Sequence, residues 1–183
     1  MRLRLRLLLL IFSTLWRKPS RSLVESELLL RVMPNDVDII KITNDRFFAL
    51  MDLGRLDIAF RMGLLKKMIS NNWVPLATFF TIRFRYPLKV FQKYQLKTRI
   101  MYWDDHTFYF HQDFVRKGRI VATGYSCSTL LGPKGPVKPR EIFEAVGLSA
   151  TRPEKPDMVA RLQDLEELIC QGQHAHEPIG LSC

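Results

Sequence analysis

The chain has 183 residues, of which 47% are hydrophobic and 25% are charged. This length supports one full-sized hydrophobic core and is too short for two domains of ordinary size. Cys127, Cys170 and Cys183 are an odd number without paired short spacing, which argues against a disulfide framework or a cysteine-based zinc site and favours a reducing compartment. The formal net charge of +10 indicates an anionic partner, which could be nucleic acid, a membrane surface or the phosphates of a nucleotide-bearing molecule.

Residues 1–22 are a basic and apolar arm in front of the predicted domain. Residues 7–16 are an apolar run of ten, whereas a helix that spans a bilayer needs about 20 residues. Such a run after basic residues fits an interfacial membrane segment, a secretory signal or a packed element, although no small-x-small cleavage site follows it. We expect peripheral membrane contact through residues 1–18, with the other two interpretations left open, and a cytoplasmic location with or without membrane association.

The pattern that follows the arm changes from strand to helix. Residues 27–32 predict a first strand, and turn residues at 33–36 close it. Apolar residues then cover most of the circumference of a helix from about Asp45 to Met68, capped by Thr43 or Asn44. A helix that is apolar nearly all round is expected to be buried.

Two acid–base pairs occur at helical spacing in this segment. Asp52 lies three residues before Arg55, and Asp57 lies four residues before Arg61. Side chains at these spacings are neighbours on a helix surface, so we expect both pairs on whichever flank remains in water.

Period-two alternation next predicts four consecutive antiparallel strands. They cover residues 80–86, 93–102, 107–116 and 119–131, with a hairpin turn at Lys117-Gly118, and the Gly/Pro-rich segment 132–136 is expected to end the sheet. The last strand places a strip of small residues on one face, which would allow a helix to approach closely. The strip consists of Ala122, Gly124, Ser126 and Ser128.

Residues 149–183 are predicted to form a linker, a short helix over 158–170 and a tail. The apolar stripe of this helix is expected to pack on its own domain, with a partner surface as the alternative. The stripe consists of Val159, Leu162, Leu165, Leu168 and Ile169.

Three segments carry a family resemblance: PNDVD at 34–38, ITNDRFFALMDLGR at 42–55 and the strand region 83–124. With the order of elements over 27–138, they resemble the 4-hydroxybenzoyl-CoA thioesterase-like family, especially the branch related to thioesterase superfamily member six. That family usually shows D-x-D-x-x-G-H-x-N-N-x-R-Y. This chain keeps Asp36, Asp38, Asn44 and Arg46, and Ile40-Lys41-Ile42 replaces the Gly-His pair.

The resemblance implies an α+β hot-dog fold over residues 23–148, with a long central helix wrapped by an antiparallel β-sheet. It also implies an acyl-CoA thioesterase that acts as a homodimer or dimer of dimers, with sites between subunits. CoA would enter as part of the substrate, and no separate cofactor is expected.

Thioester hydrolysis needs a group that activates water or attacks the carbonyl, and donors for the charge that develops on oxygen. The backbone N–H groups around Thr43 to Arg46, at the start of the helix, are the predicted donors. By analogy with the family, Asp38 is the first choice for the base or nucleophile and Asp36 the second. Asn44 is a further catalytic candidate, and all three side chains could instead cap backbone groups.

Substrate-binding candidates lie at the helix start and in the hairpin. They are Thr43, Lys41 and Arg46, together with Lys117 and Arg119, whose charge fits the phosphates of CoA or a solvated turn. No metal is expected, because His106 and His111 have no ligand partner at metal-binding spacing.

Two other functions remain open. The first is a non-catalytic acyl-CoA or acyl-carrier binding protein at the membrane surface. The second, nucleic-acid binding, is disfavoured because the cations are spread over the arm and strand faces and no recognised module occurs.

Overall fold

The computed structural model describes residues 25–38, 40–149 and 151–174. The predicted arm at 1–22 and the end of the tail, including Cys183, lie outside these residues. None of the described helices is both long and apolar enough to cross a bilayer.

An antiparallel sheet forms the body of the described chain. Its strands are β1 (Glu25–Arg31), β2 (Val74–Phe84), β3 (Lys93–Trp103), β4 (Phe108–Arg116), β5 (Arg119–Gly132) and β6 (Gly135–Val137). The strand order is β1-β3-β4-β5-β2, with β6 also paired to β5. The predicted strands are therefore present, but β2 lies beside β5 and not next to its neighbour in sequence.

The predicted end of the sheet at 132–136 is wrong. Gly132 pairs with Gly135, and the chain continues into β6 alongside β5. Gly135 has a φ of 109°, a conformation that a side chain would strain, and this allows the tight reversal.

The predicted single helix from Asp45 to Met68 is two helices. They are α1 (Asn44–Arg61) and α2 (Leu64–Ser70). Gly63 separates them with a left-handed φ of 74°, and its N–H donates to the Phe60 carbonyl at 2.9 Å. A glycine in this conformation commonly ends a helix. The helix therefore breaks here, although the apolar pattern in the sequence continues on both sides. Two further helices follow the sheet, α3 (Pro139–Ala145) and α4 (Asp157–His174).

α1 lies against the concave face of the sheet at a distance that only glycine permits. A Cβ on Gly54 would overlap Thr98 Oγ1 and lie 3.0 Å from Gln112 Nε2, and a Cβ on Gly124 would lie 2.7 Å from Met51 Cε. The Gln112 side chain is fully buried and donates to the Met51 carbonyl at 2.9 Å and to Thr98 Oγ1 at 3.0 Å. Gly124, one member of the strip of small residues predicted on β5, is thus a point where the helix approaches the sheet closely.

Gly54→Ala is expected to lower the free energy of unfolding by about 1–3 kcal/mol, because the added methyl group must displace the helix from Thr98 and Gln112. Gly172→Ala in α4 is the matched control: among the described residues nothing lies within 4 Å of its Cβ, so helix propensity should raise stability by up to about 1 kcal/mol. Urea unfolding curves test the pair. Equal effects of the two changes would contradict the close packing of α1.

α4 covers part of the convex face of the sheet. Val159 and Leu162 are buried beside Tyr109 and Cys127. Gln163 Nε2 donates to the Tyr109 hydroxyl at 2.9 Å, and that hydroxyl donates to Asp104 Oδ2 at 2.8 Å. The expected packing of the apolar stripe on its own domain therefore holds for its first two members. The remaining three, Leu165, Leu168 and Ile169, are 42–64% exposed.

The Glu166 carboxylate in α4 lies next to the buried Cys127 thiol. Burial, together with the charge of Asp104, raises the pKa of Glu166 above its ordinary value of 4.5. A folded-state pKa above the unfolded value means that this group favours folding at low pH. The contribution is lost as pH rises through the folded pKa.

Glu166→Gln is therefore expected to raise the melting temperature at pH 7 and to leave it almost unchanged near pH 4, where the parent carboxyl is protonated. The exposed Glu167→Gln serves as the control and should show no such pH-dependent gain. Thermal unfolding at the two pH values measures the difference. A melting temperature that Glu166→Gln lowers equally at both would contradict the assigned environment.

Candidate active site at the start of α1

The loop between β1 and α1 is held to the segment that follows β2. Val37 forms a backbone bridge with Ile42, and Lys41 forms one with Lys89. The Ile42 N–H also donates to the Leu88 carbonyl at 2.9 Å. These contacts create a depression of about 770 Å³ at the start of the helix. It is lined by Asp38, Ile40, Lys41, Ile42, Thr43, Asn44, Asp45, Pro87 and Lys89.

The two aspartates of the loop occupy different environments. Asp36 is 3% exposed, and its carboxylate accepts the Met33 N–H at 2.9 Å. Its carbonyl accepts the Thr43 N–H at 3.2 Å, so Asp36 joins the loop to the helix start. Asp38 is exposed and lines the depression. Of the two predicted carboxylates, Asp38 is the one accessible to a substrate.

The start of α1 is partly occupied by its own side chains. Thr43 is the N-cap residue, but its side chain does not bond to the helix backbone. Its hydroxyl bonds to the Asp45 carboxylate, which lowers the pKa of Asp45 with help from Arg46. The Arg46 N–H donates to the Thr43 carbonyl at 3.1 Å. The backbone N–H of the exposed Asn44, at the first helical position, is therefore the best-placed donor for an oxyanion.

The predicted basic residues lie on more than one element near the depression. Lys41 lines it directly, and Lys117 and Arg119 are exposed on the hairpin between β4 and β5. The Arg119 guanidinium lies 5.1 Å from the centre of the Tyr86 ring, and Tyr86 immediately precedes Pro87 of the depression. The fold thus brings the hairpin to the same end of the molecule as the helix start.

A second, mainly apolar cavity of about 340 Å³ lies along α1, between this helix, α2 and the strands. Asp52 is eight residues after Asn44, which corresponds to about 12 Å along the helix axis. The cavity lining includes Asp52, Arg55, Ile58, Met62, Phe80 and Ile142. It was not predicted, because the residues that form it come from seven elements that are separate in the sequence, namely α1, α2, α3, β2, β3, β4 and β5.

The two predicted acid–base pairs form, but the prediction that they lie on a solvent-exposed side of the helix is wrong. The Arg55 side chain is only 11% exposed and lies 4.7 Å over the Phe80 ring. Burial lowers the pKa of Arg55 and raises that of its partner Asp52, which remains half exposed.

Asp57 of the other pair is also buried, with 1% exposure. It accepts hydrogen bonds from the Ser26 hydroxyl and, at 2.6 Å, from Arg61 Nε. This pair therefore links α1 to β1 inside the domain.

The two histidines considered as metal ligands, His106 and His111, have their partners in the sheet and in a turn, and neither lines the depression at the helix start. Arg99 Nε donates to His111 Nδ1 at 3.1 Å, and the Asp113 carboxylate lies 3.4 Å from His111 Nε2. The backbone N–H of His106 donates to Asp104 within a turn. Within residues 25–38, 40–149 and 151–174, no three His, Cys, Asp or Glu side chains come together as a metal site would require.

An antiparallel sheet wrapped around a long buried helix is the hot-dog fold, and solved structures of thioesterases with this fold superpose on the chain. Residues 32–132, more than half of the chain, match the model of the Thioesterase-like superfamily, and the chain belongs to that family.

Relatives in animals and bacteria agree with this assignment. Protein THEM6 of Xenopus laevis is 33% identical over 85 residues, which are 46% of this chain and 41% of that protein. The match thus spans less than half the length of that relative. Protein THEM6 of Drosophila melanogaster is 25% identical over 140 residues, 74% of this chain and 70% of that protein. The DHNA-CoA thioesterase of Staphylococcus aureus superposes with a TM-score of 0.61 at 13% identity, over 79% of this chain and 94% of that one.

Proposed function

We propose that this protein hydrolyses an acyl-CoA thioester to the free acid and CoA, with Asp38 as the general base or nucleophile. The observation that carries the proposal is the exposed Asp38 carboxylate in the depression at the start of a buried helix. Family membership supports thioester chemistry of this kind.

In the general-base route, Asp38 takes a proton from a water molecule as that water attacks the thioester carbonyl carbon. The carbonyl oxygen gains negative charge, which the Asn44 N–H and the positive end of the α1 dipole stabilise. The tetrahedral intermediate then collapses, the carbon–sulfur bond breaks and the CoA thiolate leaves and takes up a proton. In the nucleophilic route, Asp38 attacks the carbonyl carbon, the carbon–sulfur bond breaks and the CoA thiolate leaves and takes up a proton. Water then hydrolyses the resulting mixed anhydride to the free acid and restores the Asp38 carboxylate.

The phosphates and the acyl chain of the substrate each have a candidate contact surface. Lys117 and Arg119 on the hairpin, with Lys41 in the loop, supply positive charge for the phosphates of CoA. The apolar cavity along α1 suits the acyl chain. The DHNA-CoA thioesterase of Staphylococcus aureus, which shares the fold, acts on a CoA thioester according to its name.

We further propose a homodimer, or a dimer of dimers, that brings β2 against a second copy. β2 ends the strand order, and among the described strands it pairs only with β5. Its exposed apolar side chains include Val74 at 61% and Phe84 at 42%. An open apolar edge strand favours pairing with another chain. A cytoplasmic location, with membrane contact through residues 1–18, completes the proposal.

A non-catalytic acyl-CoA binding protein at the membrane surface is the second candidate. Two observations favour this candidate. The Asp36 carboxylate already accepts the Met33 N–H, so it is not free to act as a base. The negative Asp45 carboxylate lies at the helix start, where an oxyanion would also have to bind. A protein of this kind would bind acyl-CoA through the same surfaces without turnover.

Release of free thiol from acyl-CoAs of increasing chain length tests the proposal. Asp38→Asn should lower the hydrolysis rate by about 10²–10⁴-fold, because the amide cannot act as a base. Asp105→Asn is the control, since Asp105 is exposed and paired with Arg152 in another part of the chain. Asp36→Asn should weaken folding more than Asp38→Asn, because Asp36 holds the loop. Binding of acyl-CoA by the parent without thiol release would favour the second candidate, and full activity of Asp38→Asn would contradict the assigned base.

A further inference from the structure

The lining of the apolar cavity along α1 includes three buried polar atoms that no described residue satisfies. They are Arg55 Nη1, Ser128 Oγ and Thr129 Oγ1, each inaccessible to solvent and without a hydrogen-bond partner among the described residues. All three residues line the cavity, with Arg55 on the helix and the other two on the sheet. A buried donor or acceptor without a partner is unfavourable, most of all when it is charged, so these groups are expected to meet a polar atom.

Arg55 is fixed in its position by its other contacts. Its Nη2 donates to Asp52 Oδ1, and its guanidinium carbon Cζ lies 4.7 Å from the Phe80 ring centre. These contacts use one edge and one face of the guanidinium group. Nη1 is left as a donor without a described partner, next to the cavity that its own residue lines.

Ser128 approaches the cavity from the sheet. It belongs to the strip of small residues on β5 that faces α1, as the contact of Gly124 with Met51 shows for the same side of the strand. A serine hydroxyl both donates and accepts, whereas the arginine only donates. A ligand oxygen that reaches both groups can therefore be a hydroxyl or a carbonyl oxygen.

The charge of the site selects between neutral and anionic ligands. The ion pair with Asp52 already balances the positive charge of Arg55. A ligand carboxylate would add a second negative charge close to Asp52 in a region of low dielectric constant, which is unfavourable. A neutral oxygen avoids this repulsion and still receives the hydrogen bond.

We propose that this cavity selects acyl chains that carry a neutral oxygen, a hydroxyl or keto group, over unsubstituted chains of the same length. The group would accept from Arg55 and bond to Ser128, and the rest of the chain would contact the apolar lining. Without the oxygen, both protein groups stay unpaired, which is how a hydrogen-bonding pocket rejects an analogue. The inference rests on the proposed function only in taking the ligand to be an acyl chain.

The cavity has a route for such a chain. Two of its lining side chains reach solvent, Leu76 at 45% and Asp52 at 52% exposure, so its mouth lies between α1 and β2. Its volume of about 340 Å³ is at the lower end of the range of about 300–1,000 Å³ for small-ligand sites. The cavity therefore holds only the far end of a chain of medium length, because its entrance at Asp52 lies about 12 Å along the helix from Asn44.

The test measures binding of saturated fatty acids of eight to fourteen carbons by titration calorimetry. Each acid is compared with its counterpart hydroxylated at the terminal carbon and with the corresponding dicarboxylic acid. The parent protein is expected to bind the best hydroxylated chain about tenfold or more tightly than the plain chain, as a hydrogen bond to a charged donor predicts. The dicarboxylic acid should bind more weakly than the hydroxylated acid.

Two substitutions test the assigned groups. Ser128→Ala and Arg55→Lys should each reduce the preference for the hydroxylated chain towards unity, since the first removes the hydroxyl and the second removes the guanidinium fork but keeps the charge. The controls are Ser70→Ala and Arg140→Lys, which lie outside the cavity and should keep the parent preference. The parent preference needs no variant, so it remains informative if a substitution impairs folding.

Equal affinity of the parent for plain and hydroxylated chains would overturn the inference, as would no binding of either or a preference that both cavity substitutions leave unchanged. Thiol release from acyl-CoA, measured separately, distinguishes the two proposals. If no thiol is released but the hydroxylated chains still bind more tightly, the proposed thioesterase activity fails and the binding site for oxygenated chains stands. Hydrolysis without that preference would overturn only the inference.

Discussion

The contact between α1 and the concave face of the sheet is the constraint on which the rest of the structure depends. Gly54 and Gly124 allow the two surfaces to meet, and Gln112 joins them through hydrogen bonds to Met51 and Thr98. Because the packing is close and the polar groups are paired, the helix has one favourable depth and rotation on the sheet. That rotation determines which helical side chains face the cavity and where the helix starts.

The charged residues of α1 are an integral part of this packing. On one side, Asp57 binds Ser26 and Arg61 and so ties the helix to β1. On the other side, Arg55 lies against Phe80 at the cavity. A helix that is apolar nearly all round still needs such groups to fix its orientation. Their partners come from the sheet as well as from the helix itself.

Much of the fold follows from local patterns in the sequence. The alternation of β3, the Lys117-Gly118 hairpin and the position of Thr43 before α1 are all local signals, and the structure agrees with each. The break at Gly63 was missed because apolar residues continue on both sides of it. The first part of β2 was missed because its residues, which include Pro75, do not alternate in polarity.

The candidate site was only partly predictable. A family pattern drew attention to Asp36 and Asp38, but sequence cannot tell which carboxylate bonds to the backbone and which stays accessible. The role of Arg55 was hidden for a different reason: its spacing from Asp52 is typical of a surface pair, and burial arises from strands far away in sequence. Ser128 belongs to the strip of small residues that the sequence shows on β5. The cavity that it lines can be seen only in the structure, because other elements form the rest of its wall.

A structure of the protein with a ketone analogue of a medium-chain acyl-CoA, in which a methylene separates sulfur from the carbonyl, tests the central claim most directly. The proposed mechanism predicts the ketone oxygen within hydrogen-bonding distance of the Asn44 N–H, with Asp38 beside the carbonyl carbon and the alkyl chain in the cavity along α1. A carbonyl bound away from the start of α1, with Asp38 left in solvent, would contradict it.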